Sequence, residues 1–141
     1  RIAKIRKLGE NLYKEELKEK TMPVYKNRET QRVEKVNGGE GFMIRDRLLS
    51  EEKIAEVGGK CTYISQITVE PASSLGIHKH EGECELYFVT SGKALYTEND
   101  IEYEVVPGDA MLCESGSTHG IKNASDTEPL TFVAVIMQDP E

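Results

Sequence analysis

Between Tyr63 and Met137 the chain breaks into short runs of strand-forming residues separated by turn residues, and that spacing leaves few folds open. The runs are Tyr63 to Val69, Glu85 to Thr90, Ala94 to Thr97, Ile101 to Val105, Ala110 to Cys113, His119 to Lys122 and Leu130 to Met137. Between them stand Pro71-Ala72-Ser73-Ser74, Ser91-Gly92, Asn99-Asp100, Pro107-Gly108-Asp109, Ser115-Gly116-Ser117 and Ala124-Ser125-Asp126. Such residues reverse a chain because they accept turn dihedrals or bond their own backbone, and no helical period follows Gly59. Strands this short and this closely spaced build a sandwich or a barrel. Ile101, Tyr103 and Val105 alternate with Glu102 and Glu104, the pattern of a half-exposed strand. Leu86 to Val89 and Phe132 to Met137 are apolar at every position and read as central strands. Two similar hairpin units, around residues 76–97 and 108–136, suggest a folded-over pair of Greek keys.

The N-terminal part follows other rules. Ile2, Ile5, Leu8, Leu12 and Leu17 recur near helical spacing among Lys and Glu, which predicts an amphipathic helix over residues 2–19 packing its apolar stripe on the body. Two strands are expected between Arg32 and Leu48, flanking a turn at Gly38-Gly39-Glu40-Gly41. Ser50 before Glu51 and Glu52 predicts the N-cap of a short helix. The glycines are not followed by a GK[ST] sequence, so a hairpin turn is preferred to a phosphate loop. The expected organisation is therefore an arm over residues 1–58 packing on a β-barrel over residues 59–141.

Charge excludes some partners. The net charge is −7, which gives the whole chain no attraction to nucleic acid or to anionic lipid. Residues 1–35 carry 11 Lys or Arg against 6 Asp or Glu, and residues 36–141 carry 7 against 19, so the barrel is acidic and the arm basic. The longest apolar run, Phe132 to Met137, is six residues, far below the roughly 20 that a spanning helix needs. Neither a nucleic-acid nor a membrane partner is expected. Cys61, Cys84 and Cys113 are odd in number, without a CxxC pair, and read as reduced thiols of a cytoplasmic protein. The first residue is Arg1 rather than Met, which leaves any upstream segment outside this reading.

The densest set of metal-ligand residue types is His78-x-His80 followed by Glu85. Strand alternation points positions 78 and 80 to one side. Glu85 can add a carboxylate, and His119, after the Ser115-Gly116-Ser117 turn, can add a third imidazole. Three neutral nitrogens and a carboxylate suit a first-row divalent ion with open coordination positions. Taken singly, each of these residues is as well explained as a surface histidine or a solvated acid; the set is what points to metal.

Two spaced patterns carry a resemblance. His78-x-His80-x4-Glu85-x6-Gly92 and Gly108-x7-Gly116-x2-His119-x3-Asn123 resemble the two motifs of the cupin superfamily, with an intervening segment as short as in its small microbial members. Ala72 stands where the first motif usually opens with glycine, and Glu114 replaces the usual proline two before Gly116, so both turns depart from the pattern. The resemblance covers residues 61–137. It implies a double-stranded β-helix, or jelly-roll barrel, here with an N-terminal helical extension. It implies His78, His80, Glu85 and His119 as ligands of one divalent transition metal, whether Fe, Mn, Ni, Zn or Cu. It also implies a homodimer, with N-terminal segments packing across barrels.

With all three histidines of the chain assigned to metal, none is left for a Ser-His-Asp or Cys-His system. The alternation that turns Glu85 inward also turns Tyr87 inward, where its hydroxyl could orient a substrate or its ring fill the barrel. Cys84 falls on the opposite strand face from Glu85, as a packed thiol; the side taken by Cys113 stays open. Arg45 and Arg47 could bind a carboxylate or phosphate at a barrel mouth, although an exposed edge strand is the expected place for them. The expected function is metal-dependent enzyme chemistry on a small polar molecule, of sugar or sugar-phosphate isomerase, dioxygenase or lyase type. The alternative is a module that binds or senses a small ligand without turnover. A regulator carrying a DNA-binding domain fits less well, because residues 1–35 show one good helix.

Overall fold

The computed structural model describes residues 23–141, so the helix expected over residues 2–19 lies outside the described residues. In chain order the elements are β1 (Thr30–Glu34), a 3-10 turn (Val36–Gly38), β2 (Phe42–Arg47), α1 (Glu51–Val57), β3 (Cys61–Val69), β4 (Ser74–Lys79) and β5 (Glu83–Ser91). They continue with β6 (Ala94–Glu98), β7 (Ile101–Val105), β8 (Ala110–Cys113), β9 (Thr118–Asn123) and β10 (Leu130–Gln138). A six-stranded sheet runs β1-β2-β3-β10-β5-β8 and a four-stranded sheet runs β4-β9-β6-β7. Every pairing is antiparallel.

The two sheets close on a core made by alternate residues. Ile67 and Val69, Tyr87 and Val89, and Phe132 and Ala134 are buried from the larger sheet; Leu75, Tyr96 and Ile121 meet them from the smaller. Central placement of β5 and β10 agrees with their continuous apolar runs. The outer face of the larger sheet is nonetheless open in places, with Phe88 of β5 43% and Leu112 of β8 44% exposed. β7 is an edge strand whose Ile101 and Tyr103 are exposed while Val105 is buried.

The expected hairpin and short helix are present. β1 pairs with β2 from Thr30 opposite Asp46 to Glu34 opposite Phe42. Ser50 caps α1, its hydroxyl accepting from the Lys53 amide at 3.2 Å. β2 is not an edge strand, however. It lies between β1 and β3, and the expectation of an exposed edge for Arg45 and Arg47 is corrected by that pairing.

Both departures from the familiar motif spacing have a backbone explanation. Ala72 has φ +56, a left-handed conformation in which glycine avoids a strain of about 1–2 kcal/mol. At the other turn the Ser117 amide donates to the Glu114 carbonyl at 3.0 Å and Gly116 takes φ +89, so the reversal closes without a proline. Asn123 is buried and structural: its amide donates to the Val69, Glu70 and Glu128 carbonyls at 3.1, 3.2 and 2.8 Å.

Candidate metal centre

Three strands bring the four expected residues together. His78 lies directly opposite His119 in the β4–β9 pairing, His80 follows the end of β4, and Glu85 comes from β5. Strict alternation would put Leu75 and His78 on opposite faces, because they are an odd number of residues apart. A bulge between them resolves the conflict, so that Leu75 enters the core, Ile77 is exposed and His78 turns inward. Gly76 sits in that bulge because the β1–β2 loop presses on it: a Cβ there would collide with the Asn37 carbonyl oxygen. The same loop sets the Asn37 side-chain amide 3.1 Å from His78 Nδ1.

The ligand atoms converge closely. His119 Nε2 lies 3.1 Å from His78 Nε2, 3.1 Å from His80 Nε2 and 3.0 Å from Glu85 Oε2. His80 Nε2 is 2.9 Å and His78 Nε2 3.7 Å from that same carboxylate oxygen, and the whole set lies within 4.8 Å. His119 is fully buried, His80 and Glu85 are nearly so, and His78 faces the opening.

The outer nitrogens show what the inner ones can do. His78 Nδ1 donates to the Gly76 carbonyl at 2.9 Å and His80 Nδ1 donates to Glu83 Oε1 at 3.1 Å, since neither oxygen can donate. When these two rings are neutral, their inner Nε2 atoms are therefore bare lone pairs. His119 Nδ1 meets the Tyr96 hydroxyl at 3.0 Å. Bare nitrogens packed around a carboxylate repel one another unless a cation lies among them, and rings held from behind in this way are characteristic of metal ligands.

Burial pushes the Glu85 carboxyl up, but hydrogen bonds from His119 and His78 and the imidazole charges outweigh it, leaving a pKa of about 2. For His78, burial works downward and is outweighed by Glu85 and the Gly76 carbonyl, so its pKa is raised. Burial dominates at His119 and, helped by repulsion from the other two rings, lowers its pKa despite Glu85.

Tyr87 stacks on the His119 ring with centroids 4.8 Å apart and packs on Phe132 at 4.4 Å. Burial, with the Glu85 charge beside it, pushes its phenol well above the ordinary value, so the hydroxyl keeps its proton. Cys113 is fully buried opposite Glu85 in the β5–β8 register, its thiol pushed up to about 11 by burial and by Glu98. Cys84 is outside the cluster.

The cluster opens on a cavity of about 230 Å³, whose polar lining is Asn37, Arg45, Tyr63 and Tyr87 beside His78, His80 and Glu85. Asn37, Arg45 and Tyr63 were not legible as one wall, because only the long-range β2–β3 pairing brings them there. Arg45 left a local signal in its parity, two residues from the buried Met43. Glu83 and Tyr96, the outer partners of His80 and His119, had no such signal.

Residues 65–136 match the family described as Cupin domain. The chain is 34% identical over 107 residues to an oxalate-binding protein of Thermotoga maritima, covering 76% of this chain and 85% of that one. Among solved structures it resembles one described as a predicted oxalate decarboxylase from Thermotoga maritima, with TM-score 0.75 and 32% identity over 84% of this chain and all of the other. It also resembles a cupin-superfamily sugar phosphate isomerase from Silicibacter pomeroyi, with TM-score 0.56 and 25% identity over 70% of this chain and 60% of that one. No helix among the described residues is long and apolar enough to cross a membrane.

Proposed function

The chain belongs to the cupin family, and from that premise we propose that it holds one divalent transition ion on His78, His80, Glu85 and His119 and binds a small carboxylate of the oxalate class there. The convergence of four ligand atoms on the floor of a cavity of about 230 Å³ carries this reading. That volume lies below the roughly 300–1,000 Å³ of pockets for drug-sized molecules. Support for the ligand class comes from the two Thermotoga maritima relatives, whose descriptions name oxalate. Three imidazoles and one carboxylate suit a first-row divalent ion with open coordination positions. When bound, such an ion supplies a Lewis acid that chelates and polarises carboxylate oxygens.

The protein's own part is preorganisation. Gly76 and Glu83 hold two rings with their lone pairs inward, and the apolar wall of Met43, Ile67, Leu75, Ala134 and Ile136 lowers the competition from water. In calorimetry, oxalate is expected to bind the metal-loaded protein and not the chelator-stripped one; equal binding to both, or none to either, would count against the reading.

A second reading, metal-dependent lyase turnover of that ligand, with oxalate and a proton giving formate and carbon dioxide, rests on Tyr87. Its hydroxyl, which keeps its proton, lies in the same lining, where it would orient a bound ligand by a hydrogen bond. Loss of oxalate with appearance of formate, followed by NMR on metal-loaded protein, separates turnover from binding.

We also propose that residues 1–58 form an arm that supplies one wall of the barrel mouth, as β2 does by pairing with β3. The free thiols of Cys61, Cys84 and Cys113 suit a cytoplasmic protein. The open outer face that carries Phe88 and Leu112 suits a homodimer. Light scattering is expected to give twice the chain mass, and the mass of a single chain would remove the dimer.

A further inference from the structure

We propose that Arg45 is the anion anchor of this pocket and that the ligand is a compact dianion, its chelating oxygens on the metal and its remaining carboxylate oxygens on the Arg45 guanidinium. The inference rests on the metal-binding reading above and adds to it a recognition residue from outside the cupin motifs.

Three observations converge on Arg45. The first is its pairing state. Arg28 and Arg32 each make a two-pronged contact with a carboxylate, on Asp46 at 2.9 Å and on Glu70 at 2.7 and 2.8 Å, and Arg47 pairs with Glu51 at 2.9 Å. Arg45 pairs with no carboxylate among the described residues. Its Nε is buried with no hydrogen-bond partner, and its Nη1 reaches only the Gln31 amide oxygen, at 3.4 Å. A guanidinium offers five donors in a planar fork suited to a carboxylate, and an unmet buried donor costs about 1–3 kcal/mol. The protein therefore carries an unpaired fork beside its ligand cluster.

The second observation is place. Arg45 lines the 230 Å³ cavity together with His78, His80 and Glu85. It also lines a neighbouring hollow of about 360 Å³ that carries both signs of charge, Lys26, Arg28 and Arg47 beside Glu29, Glu51 and Glu52. The side chain thus borders both the metal chamber and an outer recess.

The third is charge. A divalent ion on three neutral imidazoles and the Glu85 carboxylate leaves one net positive charge, enough to neutralise a monoanion. A dianion brings the centre to one net negative charge, which in a walled cavity calls for one more cation. Arg45 is the cationic side chain in the lining of that cavity.

The test is calorimetry of oxalate on wild type, Arg45→Gln, Arg45→Lys and Arg32→Gln, each reconstituted with Mn(II), with metal content measured on the same samples. Arg45→Gln is expected to keep its metal and to bind oxalate about 10- to 100-fold more weakly, the worth of a charge-assisted contact. Arg45→Lys is expected to recover part of the loss, keeping the charge without the fork. Arg32→Gln, which removes an arginine paired with Glu70 and absent from the lining of both cavities, is expected to stay within about threefold of wild type. Wild-type affinity in metal-loaded Arg45→Gln would overturn the assignment and leave the metal reading intact. No oxalate binding by metal-loaded wild type would overturn the oxalate reading and the Arg45 assignment with it, whereas failure of wild type to take up metal would overturn the metal reading itself.

Discussion

His119→Ala is expected to lower affinity for a divalent ion by on the order of 100- to 1,000-fold, one ligand's share of a binding free energy of about 10–16 kcal/mol. His119 Nε2 is the common neighbour of the cluster, 3.0–3.1 Å from the other three ligand atoms, and its ring has no solvent exposure. Truncation also removes the face on which Tyr87 stacks and a hydrogen-bond partner of the buried Glu85 carboxylate. His78→Ala is expected to weaken retention less, because His78 borders the opening, where water can take the vacated position. Metal content by mass spectrometry after dialysis against a competing chelator reads both effects, and circular dichroism checks that the variants are folded. Wild-type metal content in His119→Ala would remove that residue from the ligand set.

Acid is expected to empty the site in a defined order. An imidazole binds metal only when neutral, so affinity falls wherever the metal-free protein takes up protons at the three rings. His78, whose pKa is raised, takes up its proton first, above the ordinary imidazole value; His119, whose pKa is lowered, takes it up last. Glu85 does not contribute in this range, since it remains a carboxylate down to about pH 2. Occupancy after dialysis against chelator is therefore expected to be full near pH 7.5, to fall from about pH 6.5 and to be lost by about pH 4.5. Glu85 sets a separate window in the metal-free protein. Its carboxyl is depressed on folding, so its stabilisation is present above about pH 4.5 and is lost as pH falls toward about 2. Unchanged occupancy at pH 4.5 would contradict imidazole ligation.

What could be read from the sequence is what local rules determine. Turn residues marked the strand ends, and two-residue alternation put His78 with His80 and Glu85 with Tyr87. The Ser50 cap announced α1. What could not be read depends on contacts distant along the chain. The bulge before His78 exists because the 35–41 loop packs on Gly76, a contact between strands of different sheets. Arg45 was assigned to an exposed edge because nothing local shows that β1 covers one side of β2 and β3 the other. Its parity with Met43 already pointed inward, but parity gains meaning only once the buried face of the strand is known. Ala72 illustrates the converse case. The sequence showed a departure from the motif, and the positive φ shows that the turn is kept at the expense of strain.

The most direct test of the account is the metal stoichiometry of the purified protein, measured by mass spectrometry as isolated and again after anaerobic reconstitution with Mn, Fe, Ni, Zn and Cu. The account predicts close to one equivalent of divalent ion per chain in wild type and loss of that equivalent in His119→Ala. A wild-type chain that stays metal-free through every reconstitution, or one whose metal survives His119→Ala unchanged, would contradict it.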